Sequence, residues 1–509
     1  MLARLNSVAL VGIDGIICEV EVDIVKSGLD KPLIVGLPDA AVKESLERMR
    51  SAVVNSGYKY PLYKPLINLA PADIKKAGPA FDLPIALGIL SASGVIPAQA
   101  LKHYVIAGEL ALDGRIRPIN GVLSMAMTAQ AAGYSGVIVP MENAAEAAVV
   151  GDLDVFGVGT LTQAVGFLTN QLPIESTSMN MADIFNVSSH YDIDFSDVRG
   201  QESVKRALTV AAAGGHNVLM FGPPGSGKTM LAQRLATILP PLNVDESLET
   251  TRIYSSVGLL PKGNALMATR PFRSPHHTAS GPALIGGGTN PRPGELSLAH
   301  YGILFLDEFA EFGRNVLETI RQPLEDGVVT IARAKGTLTF PAQFMLIAAM
   351  NPCPCGYFGC DSKKCKCSPL QVDKYISKIS GPLVDRIDIH ADVPAVGFNK
   401  LYSPSASTTS SSLREQVTLA RQKQSHRFGD GKTMTNSRMS HKLIEKHCKI
   451  DSHCKEMLKH AMNELGLSAR AHDKICKIAR TIADLAGSED ISSEHLAEAI
   501  SYRKLDRKL

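Results

Sequence analysis

The sequence has no tryptophan, and aromatic residues make up only 5% of its 509 positions. Without tryptophan, any stacking against a nucleic-acid base must come from tyrosine, phenylalanine or histidine. The net charge is also small, at +3 with histidine neutral. A value so near zero argues neither for nor against binding to a polyanion, and any basic surface must therefore be local.

Long apolar segments are missing as well. No run reaches the roughly 18 residues that cross a bilayer, so we expect no membrane contact. We expect no signal peptide either, because Asp14 and Glu19 interrupt the apolar residues near the start. A cytoplasmic location follows from both expectations. In that compartment the nine cysteines are expected to be reduced or metal-bound rather than paired in disulfides.

Apolar residues are nevertheless plentiful, at 45% of the chain, which suffices for large cores and excludes gross disorder. The length predicts about three domains of roughly 150 residues each. The most specific motif in the chain is a glycine-rich phosphate-binding loop of the form G-x-x-x-x-G-K-[ST]. Its residues are Gly222, Pro223, Pro224, Gly225, Ser226, Gly227, Lys228 and Thr229.

The segments around this loop have the structure that the motif requires. An apolar run at 218–221 predicts a buried strand, and an amphipathic stretch at 230–239 predicts a helix. Backbone N–H groups at the start of such a helix face phosphate oxygens. Lys228 is then expected to reach the β- and γ-phosphates, and Thr229 to bind Mg²⁺. The expected cofactors are ATP and Mg²⁺.

A second apolar run, at 302–306, ends in two carboxylates, Asp307 and Glu308. Apolar residues without alternation predict a central parallel strand buried on both faces. Open α/β sheets bind ligands at the carboxyl ends of such strands. Asp307 is expected to hold Mg²⁺, directly or through water, and Glu308 to polarise the attacking water. The pair therefore predicts hydrolysis of the nucleotide as well as binding.

Two further polar residues stand beside predicted strands. Asn351 ends the apolar run at 344–350, where its amide can orient the attacking water. Arg386 precedes a short strand, where it can stabilise transition-state charge on the nucleotide of a neighbouring subunit. The alternative for Arg386 is a surface ion pair with Asp385 or Asp388.

The order of these parts resembles the AAA+ ATPases of the magnesium-chelatase-like branch, and more closely the bacterial ComM (YifB) family, over nearly the whole chain. The segments that carry the resemblance are Arg273-Ser274-Pro275-His276-His277-Thr278, Arg321-Gln322-Pro323-Leu324-Glu325-Asp326-Gly327, Asn351-Pro352-Cys353-Pro354-Cys355-Gly356 and Leu467-Ser468-Ala469-Arg470-Ala471-His472. The resemblance implies that Asn351 is sensor 1, Arg386 the arginine finger and Arg470 sensor 2. Arg470 is expected near the start of a lid helix, facing the γ-phosphate. An arginine acting in trans requires a repeated head-to-tail interface that closes into a ring, and the resemblance implies a hexamer.

Residues 1–170 predict a separate α/β domain, because strand-like and helical runs alternate there without a phosphate loop. Several of its runs, such as Gly78-Pro79-Ala80-Phe81-Asp82, resemble the Lon-protease fold. Active Lon proteases use a Ser–Lys dyad. The resemblance aligns those two positions with Ala80 and Leu123, whose side chains can neither attack a carbonyl nor accept a proton. We therefore expect this domain to be proteolytically inactive.

Five of the nine cysteines lie in one short loop, with the spacing C-x-C-x4-C-x4-C-x-C. Closely spaced thiolates suit tetrahedral Zn²⁺. By symmetry the expected ligands are Cys353, Cys355, Cys365 and Cys367, with Cys360 as the spare or the replacement. The alternative is a reactive or incidental thiol cluster. The remaining cysteines are expected to be small buried hydrophobic residues: Cys18, Cys448, Cys454 and Cys476.

Residues 330–339 predict a β-hairpin whose strand period of two places Arg333 and Lys335 on one face. In related ring ATPases such hairpins line the pore, where basic side chains can follow phosphates without reading the sequence. The insertion at 270–299 is also basic, with Glu295 as its single acid. Its basic and imidazole side chains are Arg270, Arg273, His276, His277 and Arg292. The alternative for both segments is a solvated edge.

The predicted fold class is α/β: an AAA+ P-loop ATPase core with a helical C-terminal lid, preceded by the Lon-protease-like domain (S5 domain 2-like). The predicted boundaries are 1–170 for the first domain, 171–192 for a linker, 193–400 for the core, 401–412 for a serine-rich linker and 413–509 for the lid.

The resemblance implies an ATP-driven motor acting on DNA: a branch-migration helicase that promotes integration of incoming single-stranded DNA in natural transformation. The implied partners are single-stranded or branched DNA, identical subunits of a hexamer, and recombination proteins. The chief alternative is a chelatase-like ATPase that remodels a protein partner. Ala80 and Leu123 disfavour an ATP-dependent protease, and Glu308 disfavours a nucleotide-binding switch.

Overall fold

The computed structural model describes residues 2–24, 32–179, 191–261, 263–288, 290–333, 336–359, 363–396, 408–429 and 434–503. The chain forms two compact units. The first comprises Met1–Ser188 and Asn243–Ala268, and the second comprises Ser189–Leu242 and Thr269–Leu509. The segment 243–268 was assigned to the ATPase core by the sequence boundaries, whereas it packs with the first unit.

The strands are β1 (Leu2–Val11), β2 (Asp14–Ile24), β3 (Leu33–Val35), β4 (Pro65–Ala70), β5 (Tyr104–Ile106), β6 (Glu109–Leu110), β7 (Ile116–Arg117), β8 (Gly136–Pro140), β9 (Asp154–Val158), β10 (Val218–Phe221), β11 (Phe272–Arg273), β12 (Gly286–Gly287), β13 (Arg292–Pro293), β14 (Ile303–Leu306), β15 (Val328–Arg333), β16 (Gly336–Pro341), β17 (Met345–Met350) and β18 (Ile389–Asp392). The helices are α1 (Ala40–Asn55), α2 (Asp82–Ala92), α3 (Val122–Ala131), α4 (Ala144–Ala147), α5 (Leu161–Leu168), α6 (Glu202–Gly214), α7 (Lys228–Ile238), α8 (Val244–Ser256), α9 (Gly281–Ile285), α10 (Glu295–Leu298), α11 (Arg314–Asp326), α12 (Pro369–Ile376), α13 (Gly381–Val384), α14 (Ser410–Phe428), α15 (His441–His447), α16 (Ser452–Leu465), α17 (Ala469–Ala486) and α18 (Ser493–Ser501).

The first unit is built on a seven-stranded mixed sheet in the order β3-β4-β2-β1-β5-β8-β9. Helix α2 is buried along its whole length and lies close to the sheet. A Cβ atom added at Gly88 would lie 2.6 Å from Val22 Cγ2, so glycine permits this close approach. The predicted alternation of strands and helices is confirmed for this unit.

Helix α8 belongs to the first unit through polar and apolar contacts. Its Arg252 pairs with Asp14, and the Gly121 N–H donates to the Ser255 carbonyl at 3.1 Å. Ala80 and Leu123, which the resemblance aligns with the Lon dyad, lie in the same buried apolar cluster as Ala265 and Leu266 of the segment 243–268. Both positions therefore serve packing in this unit.

The second unit is built on a five-stranded sheet in the order β11-β14-β17-β10-β18, with every neighbouring pair parallel. The central strands are short apolar runs buried on both faces, as their sequences predict. Because β17 lies between β10 and β14, the carboxyl ends of three adjacent strands meet at one edge. This edge holds the phosphate loop, Asn351 and the Asp307–Glu308 pair.

Helices dominate the C-terminal part of the second unit, as expected. Helix α14 begins at Ser410, because the Thr409 side chain accepts a hydrogen bond from the Ser412 N–H. Residues 410–412 are therefore helical, and the predicted linker 401–412 is too long at its C-terminal end. Among the described residues, none of the helices combines the length and apolar character needed to cross a membrane.

Candidate functional site

The phosphate loop connects β10 to α7, as the sequence predicts. Gly227 precedes the helix with a φ of +86°, a left-handed conformation that favours glycine. A Cβ atom at Gly222 would lie 2.1 Å from the Val393 carbonyl oxygen, so this position also requires glycine. The spacing of the motif thus corresponds to the close contacts and backbone turns of the loop.

Lys228 is buried inside the loop. Its ammonium group donates to the carbonyls of Gly222 at 2.7 Å and Pro223 at 2.9 Å, and to Asn351 Oδ1 at 3.3 Å. Burial lowers the pKa of Lys228, while the Asp307 carboxylate opposes that shift. The structure therefore brings the predicted phosphate-binding lysine and the predicted sensor amide together.

The predicted magnesium ligands are in contact. The Thr229 hydroxyl donates to Asp307 Oδ2 at 2.7 Å, and the other Asp307 oxygen accepts from the Glu308 N–H at 2.9 Å. Mg²⁺ binds hard oxygen ligands and is held in nucleotide sites by one or two side chains together with phosphates. A hydroxyl and a carboxylate at the mouth of a phosphate loop fit that ion.

Glu308 stands beside this pair on a strained backbone. Its φ is +51°, which is uncommon for a residue with a side chain. Its carboxylate Oε2 lies 2.9 Å from His277 Nδ1. The sequence pattern does not predict this contact. His277 stands there only as part of the segment 273–278, which carries the family resemblance, and of the basic insertion at 270–299.

Arg386 and Arg470 lie elsewhere in the second unit. Both line a cavity of about 430 Å³, which none of the phosphate-loop residues, Asp307, Glu308 or Asn351 lines. Arg386 Nη2 lies 2.6 Å from Glu325 Oε1 in an ion pair, and Arg386 Nη1 donates to the Pro382 carbonyl at 2.6 Å. The ion pair with Asp385 or Asp388 that was the alternative for Arg386 is therefore replaced by one with Glu325.

Arg470 lies near the start of helix α17, as predicted, and its side chain is exposed. One turn further along, Lys474 Nζ lies 3.0 Å from Asp388 Oδ1 and donates to the Ile387 carbonyl. Although burial opposes it, the charges of Lys474 and His216 lower the pKa of Asp388. This half-buried ion pair joins α17 to the segment that contains Arg386. Both arginines line the same cavity.

The cysteine loop follows Asn351 directly. The sulfur atoms of Cys353, Cys355, Cys365 and Cys367 all lie within 4.8 Å of one another. Three of their separations are 3.3, 3.6 and 3.7 Å, close to the roughly 3.8 Å that Zn–S bonds of about 2.3 Å give in a tetrahedron. The four residues therefore fit a tetrahedral ion, whereas Cys360 lies outside the described residues.

The local backbone favours a thiolate at Cys355. The N–H groups of Lys366 and Tyr357 lower the pKa of Cys355 to about 6. At Cys365 and Cys367 a backbone N–H also lowers the pKa, but burial and the contacts with Cys355 and Cys353 raise it more, to about 12 at Cys365. The loop also touches the nucleotide edge, because a Cβ atom at Gly356 would lie 2.5 Å from Pro224 Cδ. The cysteines predicted to be buried outside the loop are buried and free: Cys18, Cys448, Cys454 and Cys476.

The predicted hairpin is formed by β15 and β16, which pair in antiparallel register from Val328↔Pro341 to Arg333↔Gly336. Arg333 is exposed at its end. Lys335, the second basic residue predicted there, lies outside the described residues.

Three family models match the chain. They are described as magnesium chelatase, subunit ChlI, over residues 194–401; subunit ChlI of Mg-chelatase, over residues 20–143; and magnesium chelatase, subunit ChlI C-terminal, over residues 407–503. The second and third models extend the match to both flanks of the nucleotide site, so the likeness is not confined to one motif.

Full-length relatives are similar as well. The chain is 43% identical over 515 residues to the competence protein ComM of Haemophilus influenzae, covering 100% of this chain and 98% of that protein. It is 42% identical over 510 residues to the uncharacterized protein YifB of Salmonella typhimurium, again covering 100% and 98%. The magnesium-chelatase 38 kDa subunit of Rhodobacter capsulatus is 27% identical over 177 residues, 31% of this chain and 50% of that protein.

Proposed function

Because the chain belongs to the ComM/YifB family of magnesium-chelatase-like AAA+ ATPases, we propose that it is an ATP-hydrolysing ring motor that acts on DNA. The observation that supports hydrolysis is the assembly of Lys228, Thr229, Asp307, Glu308 and Asn351 at one sheet edge. Each has the chemistry that phosphoryl transfer to water requires.

In this proposal Lys228 binds the β- and γ-phosphates, and Thr229 with Asp307 holds Mg²⁺, which supplies charge neutralisation on the phosphate oxygens. Glu308 accepts the proton of the attacking water, and Asn351 orients that water. The backbone of the loop excludes bulk water on one side of the phosphates. A second cation besides Lys228 would neutralise the remaining charge on the transferred group.

Arg386 and Arg470 are suited to supply that charge from a neighbouring subunit. They share one cavity, and the residues of the phosphate edge do not line it. If Arg386 acts across an interface, Arg470 must act there too, because the Asp388–Lys474 pair links the parts of the chain that bear them. Repetition of that interface closes a ring, which we take to be a hexamer.

The DNA substrate is proposed from the name of the competence relative, from the family and from the exposed Arg333 of the β15–β16 hairpin. In a ring, such hairpins would face a threaded strand and contact its phosphates. We propose branch migration that promotes the integration of incoming single-stranded DNA, with recombination proteins as further partners. The Lon-protease-like first domain would act as an inactive packing or guiding module.

The test is ATP turnover measured with single-stranded, duplex and four-way DNA. Stimulation by at least one of these is expected, and Arg333→Ala should reduce the stimulated rate more than the basal rate. The salt dependence of DNA binding by Arg333→Ala should also weaken. The slope of log affinity against log salt concentration should fall by about one, as for the loss of one phosphate contact. Thr330→Ala on the same hairpin is the control. Turnover indifferent to all three DNAs would support the alternative, a chelatase-like ATPase acting on a protein.

We also propose that the cysteine loop holds a structural Zn²⁺. Four cysteine thiolates would bind the ion, and the bound ion would hold the loop in one conformation beside Asn351. Cys353→Ser with Cys355→Ser should lower the zinc content of purified protein from one ion per chain to none by elemental analysis. Cys454→Ala, which alters a buried cysteine outside the loop, should leave zinc bound. Equal zinc in both variants would remove the site.

A further inference from the structure

The cysteine loop carries an exposed aromatic side chain near a group of lysines. Phe358 is 50% exposed, and Lys363, Lys364 and Lys366 are exposed as well. A single exposed apolar residue is ordinary on a protein surface, but here three cations accompany the ring. That combination fits a ligand that has both flat apolar faces and negative charge.

The sulfur atoms of the loop hold the backbone that bears these side chains. The N–H groups of Tyr357 and Lys366 interact with the Cys355 sulfur, and the Cys367 N–H donates to the Cys365 sulfur at 3.4 Å. Lys366 stands between two cysteines whose sulfurs belong to the cluster, and its own side chain is exposed. The backbone of the loop is therefore ordered before a ligand arrives, which lowers the entropy lost on binding.

The charges of the three lysines are not neutralised within the described chain. Among the residues that the structure describes, no carboxylate pairs with Lys363, Lys364 or Lys366. The Lys363 ammonium lies 5.1 Å from the centroid of the Tyr357 ring, which is the distance of a cation–π contact. Such a contact orients the lysine and leaves its charge in place. Lysines arranged in this way attract phosphates of any nucleic-acid sequence.

We propose that the exposed face of the cysteine loop binds single-stranded DNA, with Phe358 stacking on a base and the three lysines contacting phosphates. Proteins that hold single strands combine these two elements, a basic surface and aromatic side chains. The inference rests on the proposed action on DNA, and it adds a second contact to that of the β15–β16 hairpin.

The chemistry of the loop favours a single strand over other polyanions. The bases of a duplex already stack on their neighbours, so they offer no free face to Phe358. An acidic protein segment would pair with the lysines through its carboxylates and would leave the exposed ring unused. Only a strand with unstacked bases uses both the ring and the cations.

The first experiment tests the lysines. Binding of a fluorescently labelled oligothymidylate is measured by anisotropy over a range of salt concentrations, with the intact full-length chain and a triple variant. The triple variant is Lys363→Gln, Lys364→Gln and Lys366→Gln. It should bind more weakly, and the slope of log affinity against log salt concentration should fall by about two, since each phosphate contact on a single strand contributes about 0.7.

The matched control removes the same charge elsewhere. It replaces three exposed lysines in and just after helix α15, as Lys442→Gln, Lys446→Gln and Lys449→Gln. This variant should keep the affinity and the salt slope of the intact chain, because the local cluster, and not the net charge, attracts the strand.

The second experiment tests the stacking. Phe358→Ala should weaken binding of the single strand by about five- to a hundredfold, the usual effect of removing one stacked ring. It should leave binding of a duplex of the same length unchanged. Phe358→Tyr keeps an aromatic face and should bind like the intact chain, whereas Phe358→Leu should not restore binding. Leu419→Ala, at an exposed apolar position of α14, is the control. Bound ATP and the unfolding midpoint, measured in each variant, confirm that the chain is folded.

The outcomes separate the inference from the proposed function. If the intact chain binds the single strand and both loop variants match it in affinity and salt slope, the inference is overturned and the motor function stands. If Phe358→Ala weakens binding of the single strand and the duplex equally, the ring does not stack on a base and the inference is also overturned. If the intact chain binds no DNA, the proposed action on DNA fails, and the inference fails with it.

Discussion

Two polar clusters in the second unit differ in how their charges are arranged. At the phosphate edge, Lys228, Thr229, Asp307 and Asn351 contact one another, and all follow the carboxyl ends of parallel strands. In the cavity, Arg386 precedes β18, Arg470 lies in the first turn of α17, and the carboxylate that pairs with Arg386 comes from α11. In the proposed function, one cluster is a pocket for a triphosphate, and the other supplies cations to the triphosphate of a neighbouring subunit. In our proposal, a single chain therefore bears the complementary halves of two different nucleotide sites.

The largest expected effect on turnover comes from removing Arg386 from the cavity. Arg386→Ala should keep ATP binding and lose turnover by about 10³-fold or more, as for other arginines that act on a transferring phosphate. Nucleotide binding and steady-state turnover measure the two effects separately. Glu325→Gln removes the partner of Arg386 but keeps the guanidinium, and it should retain turnover.

Mixing experiments sharpen the assignment of the two halves. Arg386→Ala subunits have an intact phosphate edge, and Lys228→Ala subunits have an intact cavity. Combined in one ring, they should regain part of the activity that each lacks alone. No recovery in mixtures that still assemble would show that Arg386 acts within its own chain. The two clusters would then belong to the same nucleotide site.

The next largest effect concerns the phosphate edge. Glu308→Gln should lower kcat by about 10²- to 10⁴-fold, the usual contribution of a general base, and should keep ATP bound. Lys228→Ala should instead weaken ATP binding itself. Glu311→Gln alters a nearby exposed carboxylate that pairs with Lys378 and should leave both properties unchanged. Wild-type turnover in Glu308→Gln would contradict the water-activating role.

The sequence predicted the phosphate edge well because its contacts are set locally. Each of its side chains follows an apolar run, directly or through the phosphate loop. Neighbouring parallel strands bring their carboxyl ends to the same edge of the sheet, independently of the rest of the chain. The strands β10, β14 and β17 and the contact of Thr229 with Asp307 follow from that rule.

Contacts between irregular segments could not be predicted in this way. The His277–Glu308 pair joins a loop to the end of β14, and the Arg386–Glu325 pair joins a loop to helix α11. No periodicity or spacing fixes such distances, because they depend on how the intervening elements pack. The same reason explains why α8 was assigned to the ATPase core. Its amphipathic pattern indicates a helix but does not indicate which unit covers its apolar face.

The smallest expected effect on turnover concerns the support beneath the cavity. Asp388 Oδ1 lies 3.0 Å from Lys474 Nζ, and that ion pair ties α17 to the segment between Arg386 and β18. Asp388→Asn should lower the free energy of unfolding by about 3 kcal/mol at pH 7, because it leaves the half-buried Lys474 ammonium without its carboxylate partner. Turnover should fall less than in Arg386→Ala, since both arginines remain. Asp385→Asn, at a half-buried position on the same cavity, is the matched control.

The lowered pKa of Asp388 determines the direction in which the free energy of unfolding changes with pH. Since Lys474 and His216 hold the pKa of Asp388 below its ordinary value, the folded state binds a proton less readily than the unfolded chain. The stabilisation is therefore fully present above about pH 4, the ordinary aspartate value, and is lost as the pH falls from there toward the folded pKa. Unfolding midpoints measured from pH 7 to pH 3 should decline less steeply in Asp388→Asn than in the intact chain. Parallel curves would show that the charge of Asp388 does not hold α17 in place, and the position of Arg470 would then need another support.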